Sequence, residues 1–465
     1  MRPAASTETL SRGDSVDGDG GVCPYLFVVL DARRLDTPPA RIALAGLDEV
    51  ALGRGEERSL TARDRRVLIE LPDAGMSRAH ARLTRAFGGW VLEDAGSKNG
   101  TLIGGRPASR AELADGDVIE VGRTFLLFRR ALPCDPAAPA LLDAGSAPPR
   151  APGLFTLSPG FERVLASLAA VAPALLPVIL EGETGTGKEV AARAIHELSG
   201  RRGGFVAVNC GALPAALVEG QLFGHRRGAF SGATEDRPGL FRAAEGGTLL
   251  LDEIGELAPP AQAALLRVLE QREVLPIGAT RPVPVDVRVI AATHRPLDRL
   301  VEEGAFRRDL HARLAGLRLV LPALRDRRED LGHLASTLLA RAGAAPPPAL
   351  DPRVARALLA AAWPGNVRQL EKCLTAASVL AGGGAITLDH LPVELRGPQT
   401  AAPTEDAPEH GGPPRDALVA LLREHQGNVS AVARALGKAR MQVQRWLKRH
   451  ALDPEAFRAG GTGRR

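Results

Sequence analysis

Gly182-Glu183-Thr184-Gly185-Thr186-Gly187-Lys188 follows the apolar run Leu176 to Leu180 and leads into the helical stretch Glu189 to Leu198. Strand, glycine-rich loop and helix come in the order that a phosphate-binding loop requires. The glycines let backbone N–H groups turn inward around phosphate oxygens, Lys188 can reach the terminal phosphates, and the helix N-terminus adds its dipole to anion binding. An ordinary glycine turn could carry the seven residues alone; the flanking strand and helix favour a nucleotide site.

Outward from this loop, strands at Phe205–Val208, Thr248–Leu251 and Val287–Ala291 alternate with helical runs, as in a parallel α/β sheet. Residues 153–322 are therefore expected to form an α/β ATPase core, and the Ala/Leu-rich residues 323–396 its helical lid. Gly246-Gly247-Thr248-Leu249-Leu250-Leu251-Asp252-Glu253 is an apolar strand ending in two carboxylates. Such a pair can simply cap a helix, but beside the phosphate loop Asp252 suits Mg²⁺ and Glu253 suits orienting the attacking water. Position 189 is Glu where the general motif has Ser or Thr, so Asp252 must carry more of the metal.

The 465 residues exceed a single core, and linkers divide them. Residues 1–20 are Gly/Ser/Asp-rich, are expected to be disordered and carry no secretory signal pattern. Short alternating strands separated by Gly/Asp/Asn turns make 21–132 an all-β sandwich. The Pro/Ala-rich residues 133–152 and the stretch 397–413 are expected linkers, 414–458 an all-α helix-turn-helix, and 459–465 a basic tail. The longest uncharged apolar run, Val164 to Leu180, is short and holds Pro173 and Pro177, so no membrane span is expected. Cys23, Cys134, Cys210 and Cys373 are far apart and form no metal-ligand pair, which points to a reducing compartment, the cytoplasm. From Arg415 onward eleven Lys/Arg stand against four Asp/Glu, a net +7, leaving −2 for the rest of a chain of formal charge +5. Contact with nucleic acid is sought first at that end.

In the β region Leu52-Gly53-Arg54, Ser77-Arg78-Ala79-His80, Ser97-Lys98-Asn99-Gly100-Thr101 and Asp115-Gly116-Asp117 occur in order. Each fragment alone could be a plain turn; together they resemble a forkhead-associated (FHA) domain. The resemblance implies that these loops read a phosphothreonine peptide, through Arg54, Ser77, Arg78, Lys98 and Asn99, with His80 structural. The residue types suit it: cations and a hydroxyl donate to phosphate oxygens, and an Asn can hold peptide backbone. Lys98 stands where the family often has a hydroxyl residue.

Leu222-Phe223-Gly224-His225-Arg226-Arg227-Gly228-Ala229-Phe230-Ser231-Gly232-Ala233 is very similar to the signature loop of the bacterial enhancer-binding proteins, AAA+ ATPases that activate RNA polymerase carrying sigma-54. The resemblance implies that Gly228, Ala229, Phe230, Ser231, Gly232 and Ala233 touch sigma-54 and move with the nucleotide state. Ser231 replaces the usual Thr, and Arg226-Arg227 the usual Glu-Lys. The same resemblance makes Asn209 the switch of Glu253, Thr293 of Thr293-His294 the first sensor, Arg307 and Arg313 arginine fingers acting across subunits of a ring, expected to be a hexamer, and Arg368 of Trp363-Pro-Gly-Asn-Val-Arg368 the second sensor. With Gly182 to Lys188 and Glu189, these residues form the expected site for ATP and Mg²⁺.

At the C-terminus, Asp416 to His425, Val429 to Leu436 and Ala439 to His450 have helix-turn-helix spacing, broken by Gly437. Val443, Trp446 and Leu447 fall on one face of the last helix, and basic residues lie opposite. The segment resembles the Fis-type helix-turn-helix of sigma-54 activators, which implies double-stranded DNA contact through Arg440, Gln442 and Arg445. The expected function is thus a DNA-bound, ATP-driven activator of sigma-54 RNA polymerase under phosphothreonine control. A phosphopeptide-dependent DNA-binding adaptor with a merely structural nucleotide site is the alternative. A replication initiator is a third reading, which gives the Phe230 loop no purpose.

Overall fold

The computed structural model describes residues 21–86, 88–134, 139–145, 149, 151–212, 215–229, 233–396, 415–436, 443–444, 446–447, 450 and 452–457. The chain forms two compact units, Met1–Gly397 and Pro398–Arg465.

The first unit begins with two packed β-sheets. One runs Leu141–Asp143, Ala40–Ala43, Val22–Asp31, Thr124–Pro133, Val118–Val121, Thr101–Ile103, Arg106–Pro107; the other runs Arg110–Glu112, Gly89–Asp94, Ala81–Ala86, Glu49–Arg54, Arg66–Leu71, Ser59–Arg63. Leu26, Val28, Leu52, Ile69, Leu83, Leu92, Leu126 and Phe128 fill the space between them. Leu141–Asp143 falls in the stretch expected as a linker. Its Leu-Leu pair adds a strand that pairs antiparallel with Ala40–Ala43.

The ATPase core is a five-stranded sheet in the order Phe205–Asn209, Thr248–Asp252, Arg288–Thr293, Val178–Glu181, Leu317–Val320, every neighbouring pair parallel. Its strands are covered on both faces, as parallel strands need to be. Ile179, Leu249, Leu251 and Ala291 join one core, while Val178, Leu180, Leu250, Ile290 and Ala292 join the other. Because all strands point one way, the phosphate loop, Asp252-Glu253, Thr293 and Asn209 emerge along one edge, where ligands of open α/β sheets bind.

The lid contains the helices Leu331–Arg341, Pro352–Ala360 and Asn366–Leu380. Asp351 caps the second by accepting from Arg353 N (2.8 Å), with Pro352 in the first turn. The lid shares a core with the outer face of the first β-sheet: Tyr25, Phe27, Val29, Phe125 and Leu127 pack with Leu331, Leu338, Leu339, Trp363 and Leu374. The approach is close enough that a Cβ on Gly332 would sit 1.9 Å from Val29 O. Burial of this shared surface makes β-sandwich and ATPase one unit.

In the second unit, the helices Arg415–Glu424 and Val429–Ala435 pack through Leu418, Leu422, Val432, Val443, Trp446 and Leu447. Gly427, at φ +74°, turns the chain between them, and Asn428 Oδ1 caps the second by accepting from Ser430 N and Ala431 N.

Candidate active site

The phosphate loop keeps its three glycines in conformations that Cβ-bearing residues avoid: Gly182 φ +151°, Gly185 φ +82°, Gly187 φ +106°. A Cβ on Gly185 would lie 2.4 Å from Gly365 O, and one on Gly182 2.7 Å from Leu321 O, so the loop is wedged between sheet and lid. Lys188 opens the helix Lys188–Leu198 and its Nζ donates to Gly182 O (2.8 Å) and Glu183 O (3.3 Å). Burial lowers the Lys188 pKa; the carboxylates of Glu253 and Asp252 oppose that shift and the positive charge of Arg368 adds to it. Burial and the neighbouring Glu253 charge raise Asp252 above the usual carboxylate range, with Lys188 opposing. One lysine and two carboxylates thus face each other in a half-buried cleft.

Glu253 sits in the left-handed region (φ +53°), which turns it off the strand end. Its Oε2 accepts from His294 Nδ1 at 2.6 Å and is 3.4 Å from His294 N. A carboxylate can only accept, so the imidazole proton belongs on Nδ1. Asn209, in register with Asp252 on the adjacent strand, accepts from Gly211 N (2.9 Å) and Ala212 N (3.2 Å). The side chain that holds Glu253 here is therefore His294. Thr293 is buried, and its Oγ1 is engaged with Arg295 N (3.0 Å) and Arg295 O (3.1 Å).

The other expected nucleotide residues are distributed as follows. Thr186 Oγ1 donates to Glu183 O (2.9 Å) inside the loop. The Glu183 side chain turns to the lid, taking a bidentate Arg325 and Asn366 Nδ2 (3.1 Å), and these partners hold its carboxyl down at about 2. Thr184 O accepts from the same Asn366 Nδ2 (3.1 Å). Glu189 pairs with Arg193 on the helix surface (2.8 Å). Arg368 is exposed on the lid helix that begins at Asn366, beside Gly185. Arg307 and Arg313 lie on the surface: Arg307 forks onto Asp309 (3.0 and 2.7 Å), and Arg313 donates to Leu269 O.

The signature loop springs from a tied base. His225 and Arg237 exchange backbone hydrogen bonds (2.9 Å each), Arg226 N donates to Ile277 O, and Gly228 N donates to Ala233 O (2.8 Å). Arg226 also pairs with Asp236, whose carboxyl is held below its usual range chiefly by Arg227 N and Arg226. Asp236 thus pairs with the Arg226 side chain and meets Arg227 through its backbone N–H. Ala229 and Ala233 flank Phe230, Ser231 and Gly232, which lie outside the described residues, as do Arg440, Gln442 and Arg445.

The five FHA residues converge. Arg54 ends the strand Glu49–Arg54 and its N–H donates to Ser77 O (2.9 Å). Ser77 Oγ accepts from Lys98 N (3.0 Å), leaving its own proton to be donated outward, and Asn99 Nδ2 donates to Gly75 O (2.9 Å). Buried His80 bridges the loops through Ser77 N and Gly100 O (3.1 Å each). Arg54, Arg78 and Lys98 are exposed, and among the described residues none is in an ion pair.

Arg325, Arg327 and Asn366 line the phosphate loop and were not singled out from sequence, while His294 was read with Thr293 as the first sensor and not as the partner of Glu253. Only Asn366 and His294 had a signal, as parts of the quoted motifs. Among the described residues no helix is long and apolar enough to cross a membrane.

Three family models match the chain: the sigma-54 interaction domain over residues 154–320, the AAA+ ATPase lid domain over 325–408, and the FHA domain over 50–122. The transcriptional regulatory protein GlrR of Escherichia coli K12 is 42% identical over 309 residues, covering 66% of this chain and 69% of the relative. The DNA-binding transcriptional regulator NtrC of Salmonella typhimurium is 41% identical over 319 residues, covering 66% and 67%. Among solved structures, NtrX from Brucella abortus in complex with ATP is 33% identical and covers 65% of this chain and 70% of that one, at a TM-score of 0.48.

Proposed function

The chain belongs to the sigma-54-dependent transcriptional regulators, ATP-hydrolysing AAA+ proteins, here with an FHA domain, and on that premise we propose that it remodels sigma-54 RNA polymerase to the open complex from upstream DNA, under phosphothreonine control. One observation carries the reading. The loop based on His225–Ala229 is tied at Gly228–Ala233 within the same unit that brings Lys188, Asp252 and Glu253 together.

Backbone N–H groups of Gly182 to Gly187, with Lys188, hold the ATP phosphates, and Asp252 would hold Mg²⁺; the half-buried carboxylate next to Lys188 fits that pair of ligands. Bound Mg²⁺ would neutralise charge on the phosphate oxygens. Glu253 orients the attacking water and takes its proton. His294 fixes the Glu253 carboxylate by the 2.6 Å hydrogen bond, and Asn209 is the second polar group within the same strand edge for that carboxylate to exchange onto. Arg307 and Arg313, on the surface, reach the γ-phosphate of a neighbouring subunit in a hexameric ring, and Arg368 contacts nucleotide from the lid. Phe230, followed in the sequence by Ser231 and Gly232, meets sigma-54.

Arg54, Ser77, Arg78 and Lys98 take the phosphate and Asn99 the backbone of a phosphothreonine peptide; three exposed cations beside a hydroxyl support this. The C-terminal unit binds DNA through Arg440, Gln442 and Arg445, and the protein works in the cytoplasm. The test is open-complex formation by purified sigma-54 polymerase at an upstream site that the chain binds. Wild-type protein with ATP should open the promoter and Lys188→Ala should not; a wild type that turns over ATP without opening it refutes the proposal.

A further inference from the structure

Two consecutive 3-10 turns, Leu324–Asp326 and Arg328–Asp330, join the last core strand to the lid. Side chains of this short segment serve two masters. Arg325 pairs with Glu183, and Arg327 Nη2 donates to Thr186 O (2.9 Å), both on the phosphate loop. Arg328 Nη2 donates to Gly116 O (3.3 Å), and Glu329 Oε2 accepts from Arg129 Nη1 (3.3 Å), both on the FHA domain. Asp330 pins the segment by accepting from Thr156 Oγ1 and Leu157 N at 2.7 Å each.

Arg327 is 3% exposed, Glu329 0% and Asp330 1%. Leaving any of these buried polar groups without its partner is strongly unfavourable, so the segment shifts as a piece. Thr186 C=O and Gly187 N–H belong to one planar trans peptide and point opposite ways. Drawing Thr186 O toward Arg327 therefore turns Gly187 N–H to the other side, into the phosphate cradle. A second ion pair crosses between lid and FHA domain: Arg356, on the helix Pro352–Ala360, forks onto Glu120 of the strand Val118–Val121 at 2.7 and 2.7 Å, with Glu120 itself buried.

We infer that residues 324–330 couple the seating of the FHA domain on the lid to the geometry of the phosphate loop, with Arg327 as positioning residue and the Arg129–Glu329 and Arg356–Glu120 pairs as the contacts through which the FHA domain acts on ATP binding. The coupling rests on the ATPase alone and holds whether or not the FHA loops read phosphothreonine.

The experiment uses the full chain and steady-state ATP turnover. The single reversals Glu120→Arg and Arg356→Glu are compared with the double swap, which restores opposite charge across the pair. Each single should raise the KM for ATP about five- to tenfold with kcat changed less than about twofold, and the swap should bring KM back to within about twofold of the parent. Glu120→Gln, nearly isosteric, gives the same reading at smaller amplitude if a reversal aggregates. Arg327→Lys, which keeps the charge and one donor for Thr186 O, should raise KM less than Arg327→Ala. Hydrogen exchange over Leu331–Arg341 reports whether FHA seating has been loosened. A loosened interface with unchanged KM overturns the inference, and so does a fall in kcat and rise in KM that the swap fails to rescue, because that is the mark of general structural damage.

Discussion

Replacing Asn366 by Ala tests how the lid holds the phosphate loop. Asn366 is 0% exposed, has φ +52°, and makes three hydrogen bonds: Leu324 N to its Oδ1 (2.8 Å), and its Nδ2 to Glu183 Oε2 and Thr184 O (3.1 Å each). Asn366→Ala strands the buried Leu324 N–H, at a cost of about 1–3 kcal/mol, and loses two further hydrogen bonds worth about 0.5–1.5 kcal/mol each, less where water reaches the half-exposed Glu183. Holding Ala rather than Asn in the left-handed region adds about 1 kcal/mol. The sum, about 3–5 kcal/mol, should lower the melting temperature of this large unit by roughly 4–6 °C. Asn366→Gly restores the backbone freedom but not the hydrogen bonds, and should recover about 1 kcal/mol of the loss. Circular-dichroism melts of the full chain measure both, and nucleotide titration should show ATP affinity reduced about tenfold, about 1.4 kcal/mol, because two of the lost hydrogen bonds hold the phosphate loop. An Asn366→Ala protein that melts within about 2 °C of the parent and binds ATP as tightly would refute the assignment of Asn366 as the anchor.

Four further outcomes are expected. Glu253→Gln should bind ATP yet lower kcat by about a hundredfold or more, and His294→Ala should lower kcat with little change in KM; a quench-flow assay separates the two. Glu329 is pushed up to about 7 by burial and by the neighbouring Asp330, with Arg129 opposing. Because the folded chain keeps this proton to higher pH than the unfolded one, stability should fall as pH rises from about 4.5 to 7, by at most about 1.4 kcal/mol per unit, and Glu329→Gln should flatten that dependence in urea melts at pH 5 and 8. Arg54→Ala should weaken a phosphothreonine peptide by at least tenfold in calorimetry and leave the unphosphorylated peptide unaffected, since a charge-assisted hydrogen bond contributes about 1.5–3 kcal/mol.

Much of the fold was legible because it rests on local pattern. The strand-loop-helix order around Lys188 and the apolar strand before Asp252 need no long-range knowledge, and the sheet built on them is parallel. The three FHA loop fragments were legible in order along the chain, and the fold brings two of them together through the buried His80. The shared core of sandwich and lid went unread, although its trace was there. Tyr25 to Leu30 is a continuous apolar run, where a half-solvated strand would alternate. Tyr25, Phe27 and Val29 face the lid, and Leu26 and Val28 face the sandwich interior; Phe125 and Leu127 against Leu126 and Phe128 repeat the division. The Glu253–His294 hydrogen bond and the two-way reach of residues 324–330 had no comparable trace, because each depends on which strand ends and turns the sheet order brings side by side.

In the proposed mechanism ATP drives the Phe230 loop onto sigma-54. Binding of the purified chain to sigma-54 in ADP with aluminium fluoride, a mimic of the hydrolysis transition state, tests it most directly, with Phe230→Ala as the control. A stable complex that forms only with the trapped nucleotide and is lost in Phe230→Ala is the expected result. An ATPase-competent chain that forms no such complex, or one that Phe230→Ala leaves intact, would contradict it.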